Sequence, residues 1–419
     1  MKKHSFISNV ATLASGTVIA QLLPLLASPV LTRLYSPEQF GLFAIFMGFV
    51  TSLTQASTGH YEVAMVTPKH SYRAKQLFVV ALYFSLGFAM ITFLGVTFFH
   101  QKVLNLLNAS ELANWIYLVP LMVLTIGLAQ LANYYANRSK HYSFMAQAAL
   151  LQGITIVSIS ILLGILEIGF SGLVIAYACG SFVSFIFLWW RHKTELTSIN
   201  FGISKYTLKV AHHYKDYPLF SGSMSIFDGL SLALPTFFLA AGYPEAIVGY
   251  YALVMRILYS PLTFLSTSVG QVNLKKVVDL VHAKRSVLPY LHKVTLALIA
   301  ISAIPTLLLL FFGPQIFTFI FGKDWLAAGE YAQILAPALV VRFTASTLSS
   351  TLGATQHPRL SGLWKVVAFV GTFSVLWIFS GNVSAQQMLK YLVITDIILY
   401  LFYYTLIYSS ASRASKLTT

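Results

Sequence analysis

The chain has 419 residues, 57% apolar and only 9% charged, with 27 Lys and Arg against 12 Asp and Glu for a net charge of +15. A soluble domain carries about a quarter charged residues, so this composition excludes a water-soluble protein and indicates a polytopic membrane domain. The single cysteine excludes an intrachain disulfide framework, and the lack of a GxxxxGK[ST] stretch excludes ATP hydrolysis by that phosphate-cradling loop.

Lipid-crossing segments must be helices or a closed barrel. Barrel strands alternate over about 10 residues, whereas the apolar runs here are continuous and near the length of a membrane helix. Twelve runs are expected to be spans: 9–31, 38–60, 75–98, 114–135, 145–166, 169–190, 218–241, 246–269, 294–312, 326–352, 361–381 and 385–408. The opening MKKHSFISNVATLASG has the charged start and apolar centre of a signal peptide. Its run continues past Pro24 and Pro29, so it reads as a retained first span. RLYSPEQFGLFAIF, 33–46, is the turn into span two, and Cys179 is a packing residue in span six. The basic stretch 191–217 is a linker whose middle can form an amphipathic helix on the membrane surface. AGYPEAIVGYYALV, 241–254, repeats the earlier punctuation between spans seven and eight, and Phe311–Phe321 reads as a re-entrant or interfacial tail.

The echo is part of a repeat. Gly41-Leu42-Phe43-Ala44 aligns with Gly249-Tyr250-Tyr251-Ala252 at an offset of 208, Pro120 with Pro337 at 217, and His141 with His357 at 216. The expected fold is therefore all-α: 1–190 as an N-terminal six-helix bundle, 191–217 as the linker, and 218–419 as a second six-helix bundle. Six is even, so the copies enter the membrane the same way up, as parallel repeats about an axis along its normal.

Of the 27 basic residues, 20 lie in one set of alternate segments, three (Arg33, Lys102, Lys323) in the other, and four (Arg256, Arg342, Lys365, Lys390) within spans. The positive-inside rule then puts both termini in the cytoplasm. The charge serves topology and anionic lipid; scattered over many short loops, it argues against a nucleic-acid partner. His212 and His213 are adjacent rather than four apart, so no metal site is expected there.

Proline and glycine interrupt the first span of each half: Gly16, Pro24 and Pro29 in span one; Gly222, Gly229 and Pro235 in span seven. Matching breaks in two repeats point to gating, substrate-facing elements, though membrane helices also tolerate such residues. Asp228, Arg256, Arg342 and Asp396 fall at span centres, where each costs roughly 2.5–3.5 kcal/mol on insertion scales. The first half offers at depth only uncharged groups such as Gln21, Gln130 and Gln152. Two readings stand. Asp228 with Arg256, or Arg342 with Asp396, could be structural ion pairs. Alternatively, Arg256 and Arg342 are guanidinium forks for phosphate oxygens in a wet cavity, and Asp228 or Asp396 carries a coupling proton or cation. Lys365 either steers an anionic headgroup or snorkels.

The stretches RLYSPEQFGLFA, TGHYEVAMVTPK, YKDYPLFS, YYALVMRILYSPLTFLSTSVGQV and FGKDWLAAGEYAQILAPAL, in that order along the chain, resemble the bacterial polysaccharide-unit (O-antigen) flippases. This family belongs to the multidrug/oligosaccharidyl-lipid/polysaccharide exporter superfamily, with the multidrug antiporters and the lipid II flippase. The resemblance implies about twelve helices in two bundles around a central cavity. It implies alternating-access transfer of undecaprenyl-pyrophosphate-linked oligosaccharide from the cytoplasmic to the periplasmic leaflet of the bacterial inner membrane, with ion coupling, no cofactor and no enzymatic step. A polysaccharide polymerase and a chain-length regulator would be partners. On the same resemblance Arg256 occupies the arginine of the span-eight motif. Position 60 departs from it, with His where Arg is expected. Two rival functions are a multidrug or cation antiporter, whose cavity would be acidic, and a membrane polymerase or ligase, which would carry a long periplasmic loop.

Overall fold

The structure, a computed structural model, describes residues 18–416 except 69, 197, 198, 200 and 356. Among them there is no strand, and twelve long helices account for the apolar runs. These are α1 (Val18–Leu34), α2 (Pro37–Thr54), α3 (Ser71–Leu106), α4 (Val119–Arg138), α5 (Tyr142–Ile165), α6 (Phe170–Arg191), α7 (Ser223–Gly242), α8 (Glu245–His282), α9 (Leu288–Phe321), α10 (Leu326–Leu348), α11 (Pro358–Phe379) and α12 (Ala385–Lys416). From α3 onward every one lies in a helix long and apolar enough to cross a membrane. The first nine residues of the first run, with Gly16, lie outside the described residues.

The twin Pro-Glu punctuation marks helix starts. Ser36 accepts a hydrogen bond from the Gln39 N–H and Gln39 reaches back to the Ser36 N–H, a reciprocal cap that opens α2 with Pro37 in its first turn. Pro244 stands at the N-cap of α8 in extended backbone, with Glu245 in the first turn. Both places suit a residue with no N–H and a fixed φ. Tyr35, just before α2, donates from its hydroxyl to the Ser160 carbonyl of α5 at 2.7 Å.

One span reading is corrected. Phe311–Phe321 is neither re-entrant nor a separate interfacial piece, but the last third of the continuous helix α9. Its two internal prolines, Pro305 and Pro314, are absorbed within the helix. Phe317 and Phe321 turn inward while Phe311, Phe312 and Phe319 remain exposed.

The chain divides into two compact units, one ending at Ala240 and the other beginning at Ala241. In the first, α4 packs on α6, α3 and α2; in the second, α10 packs on α12, α9 and α8. The second list is the first with each helix replaced by its partner six further on, so the repeat is visible in each unit's internal packing. It is visible in local backbone as well. The His141 N–H donates to Ala136 O at 2.9 Å as α4 turns into α5. The His357 N–H donates to Leu352 O at 2.8 Å at the entry to α11. Both residues are N-caps with ψ near 50° (56° and 52°).

The contact boundary falls at the end of α7, while the repeat boundary falls at its start. Thus α7 opens the second repeat in sequence but packs with the first unit. Ser52 Oγ of α2 donates to the Gly229 carbonyl at 3.1 Å, and the Phe49 and Phe237 rings meet at 4.8 Å. In the linker, Lys205–His213 is a short surface helix with a reciprocal Ser204–Thr207 cap. Thr207 and Val210 point inward, Lys205 and Lys209 outward, and the Thr207 hydroxyl donates to Gln76 of α3 at 2.5 Å.

Candidate functional site

The second unit gathers two of the sequence-selected charges. Arg342 of α10 lies 3.6 Å from Asp396 of α12, Nη1 to Oδ2, with side chains 25% and 17% exposed. The guanidinium sits over the Tyr259 ring of α8 at 4.5 Å and near the Tyr400 ring of α12 at 5.6 Å. Tyr400 in turn packs on Trp364 of α11 at 5.2 Å. Three helices thus hold one arginine in an aromatic cage with a carboxylate at its edge. A guanidinium has five donors in a planar fork, and a single carboxylate contact at this distance occupies only part of it. Arg256 is half-buried on α8, one turn before Tyr259.

The other selected residues are dispersed. Lys365 is exposed on α11, a helix that is far less buried than the one containing α10. Lys365 is therefore on the periphery of its unit. Asp228 is half-buried in α7, next to Gly229. A Cβ on Gly229 would come within 2.9 Å of the Ser52 backbone, so this glycine permits the close crossing of α2 and α7. Pro235 is internal to α7. Pro24 and Pro29 bracket a break in α1 at Ala27, where the Ser28 hydroxyl caps back to Pro24 O at 3.0 Å and Thr32 to Pro29 O at 3.2 Å.

The expectation that the first half buries only uncharged polar groups is corrected by Glu62, which is fully buried. The chain leaves α2 at Thr54, unwinds through 55–60, and passes through left-handed backbone at Gly59 (φ 61°) and His60 (φ 58°). That turn folds Glu62 inward on the one-turn helix Tyr61–Ala64, where Thr58 donates to one carboxylate oxygen and Gln130 of α4 to the other at 3.5 Å. His60 itself meets Ser225 of α7, Nε2 to Oγ, at 2.6 Å. The sequence signal was the TGHYE string: Gly before two polar residues supplies the left-handed turn. Tyr259 and Tyr400 were also missed, because an aromatic cage assembled from three helices leaves no local spacing to read.

The first unit also holds an apolar cavity of about 360 Å³ lined by Phe49, Leu53, Phe88, Ile91, Val96 and Ile226 among others. Its walls suit a hydrocarbon chain.

A family profile described as "Polysaccharide biosynthesis protein" matches residues 30–330. The chain belongs to this family. No curated protein matches it. The solved structures that resemble this polysaccharide biosynthesis protein include an inward-facing multidrug resistance MATE family transporter of the MOP superfamily: TM-score 0.72, 15% identity, 97% of this chain and 100% of that one. Another is the lipid II flippase MurJ in an inward closed conformation, with TM-score 0.76, 14% identity, and 97% and 90% covered. A third is a MOP superfamily transporter from Pyrococcus furiosus, with TM-score 0.56, 14% identity, and 97% and 96% covered. At such identities the likeness establishes the fold alone, the one these transporters have. The chain is a multi-pass membrane protein of that fold.

Proposed function

We propose that this protein is a flippase for a polyprenyl-pyrophosphate-linked oligosaccharide, working by alternating access in the bacterial inner membrane with both termini in the cytoplasm. The reading rests on one observation above all. A polysaccharide biosynthesis protein with a transporter fold holds Arg342 in an aromatic cage against Asp396, with side chains only 25% and 17% exposed. A pyrophosphate is the glycolipid group that cannot enter hydrocarbon, and planar guanidinium donors match its oxygens. Asp396 holds the fork when the carrier is empty. Phosphate oxygens, or a proton arriving on Asp396, release Arg342 for the substrate, which links cargo to an ion gradient. Arg256 assists from α8, Tyr rings offer faces to sugar, and the break in α1 and the Gly229–Pro235 stretch of α7 flex. The polyprenyl tail stays in lipid or in an apolar crevice such as that between α2 and α3.

The six-and-six division at 191–217 is the working architecture of this proposal, with α7 moving between the two halves' roles. A polymerase and a chain-length regulator would act on the product at the periplasmic face. The multidrug reading is the second choice, favoured by the likeness to a MATE transporter; the two span-centre arginines of the second repeat disfavour a cationic cargo. The test is export. Arg256→Ala, Arg342→Lys and Asp396→Asn should each cut surface glycan several-fold while the protein stays in the membrane at wild-type level. Normal export in all three would remove this site from the mechanism.

A further inference from the structure

A second cluster lies at the end of the first unit where α4, α5 and α6 meet the linker. His141 is the N-cap of α5, His192 follows α6, and Glu195 lies on the one-turn helix Lys193–Leu196. One ligand atom from each lies within 4.8 Å of the other two. We propose that these three residues form a divalent transition-metal site of the zinc class, a His-His-Glu set completed by water.

The polar groups demand a partner. His192 is 1% exposed, and neither ring nitrogen has a hydrogen bond; the Nδ1 of His141 is likewise buried and unbonded. A neutral imidazole carries one donor and one acceptor, and leaving either unmet in the interior is costly. Stacking explains part of the arrangement: the two imidazoles lie 5.2 Å apart at 26°, in a nest with Tyr135 and Phe144. Stacking satisfies ring faces and does nothing for one acceptor nitrogen on each ring, while the remaining His192 nitrogen can keep its N–H. A metal ion accepts lone pairs from both rings at once.

The second unit supplies an internal comparison. His357 occupies the same backbone turn as His141, but its Nδ1 contacts the Thr355 carbonyl at 2.6 Å. Only in the first unit does this turn aim an imidazole at another one.

The remaining geometry fits. His192 Nδ1 is 3.8 Å from Glu195 Oε2, and the Glu195 side chain is 40% exposed, which gives an ion a path inward. A tetrahedral site with bonds of about 2.0–2.1 Å sets its ligand atoms about 3.3 Å apart. The cluster must therefore tighten by up to about 1.5 Å as its side chains close on an ion. Ser139 Oγ, 3.4 Å from Glu195 Oε2, orients that carboxylate from behind. The site would staple the α4–α5 turn to the start of the linker.

The full chain, purified in detergent with any affinity tag removed and stripped by chelator, is titrated with Co²⁺ and with Zn²⁺. Visible absorption of Co²⁺, metal per chain after dialysis, and thermal unfolding are read. One metal per chain is expected, with tetrahedral Co²⁺ bands and a rise in unfolding temperature. His192→Gln and Glu195→Gln should each weaken binding at least about ten-fold, while His357→Gln should bind as wild type does. Should His192→Gln fail to fold, Glu195→Gln, at a part-exposed position, decides alone. Failure to bind a stoichiometric metal, unchanged affinity in Glu195→Gln, or an equal loss in His357→Gln would overturn the assignment.

Discussion

Two buried carboxylates differ in what holds them, and the difference fixes what each does when altered. Asp396 faces a guanidinium across 3.6 Å in a setting that keeps some exposure, so the pair is both stabilising and exchangeable. Glu62 is fully enclosed and held by neutral donors, Thr58 and Gln130. Removing it strands a hydroxyl and an amide and leaves a void. Glu62→Ala should destabilise the protein by about 2–4 kcal/mol, and Glu62→Gln, which keeps shape and one acceptor, by about 1 kcal/mol. Unfolding in detergent measures both. A Glu62→Ala variant as stable as wild type would show that the unwound end of α2 is not packed as described. Neither role could be read from spacing alone. Arg342 and Asp396 were visible as charges at span centres, but their pairing depends on the rotation of α10 and α12. Glu62 was hidden because the sequence ends span two at residue 60, on the left-handed turn at Gly59 and His60 that carries the chain back inside.

At the scale of elements, apolar periodicity says little, since lipid solvates one side of a helix as well as protein packs the other. Helix existence was legible because runs of this length have no other stable form in lipid. Helix starts were legible through Ser36-Pro37 and Pro244-Glu245. Affiliation was not: α7 opens the second repeat yet packs on α2, through Ser52, Phe49 and Gly229. The re-entrant or interfacial reading of Phe311–Phe321 failed because the segment is continuous with α9, which takes Pro305 and Pro314 within its length. Membrane helices absorb such prolines when neighbours satisfy the freed carbonyls. The contact between α2 and α7 is a place where one atom decides. Gly229→Leu would drive a side chain into the Ser52 backbone and should cost about 1–3 kcal/mol, lowering both the unfolding temperature and the recovered yield. Wild-type stability in Gly229→Leu would mean that the two helices do not cross so closely.

For the whole molecule, the alternation of basic residues and the faint repeat were the strongest signals, because both are spread over 419 residues and do not depend on any single boundary. The repeat reappears as equivalent hubs, α4 with α6, α3 and α2, and α10 with α12, α9 and α8. The two copies have diverged in their polar interiors: a neutral network around Glu62 and a histidine pair in the first unit, a caged arginine in the second. Such asymmetry suits a carrier that grips one charged headgroup rather than two. The most direct measurement is the leaflet in which lipid-linked glycan resides, read in spheroplasts with a membrane-impermeant probe of the saccharide. With the protein present, the outer leaflet should label; on its depletion, labelling should fall several-fold as lipid-linked units accumulate inside. Unpolymerised lipid-linked units still labelled at the outer leaflet of depleted cells would contradict a flippase.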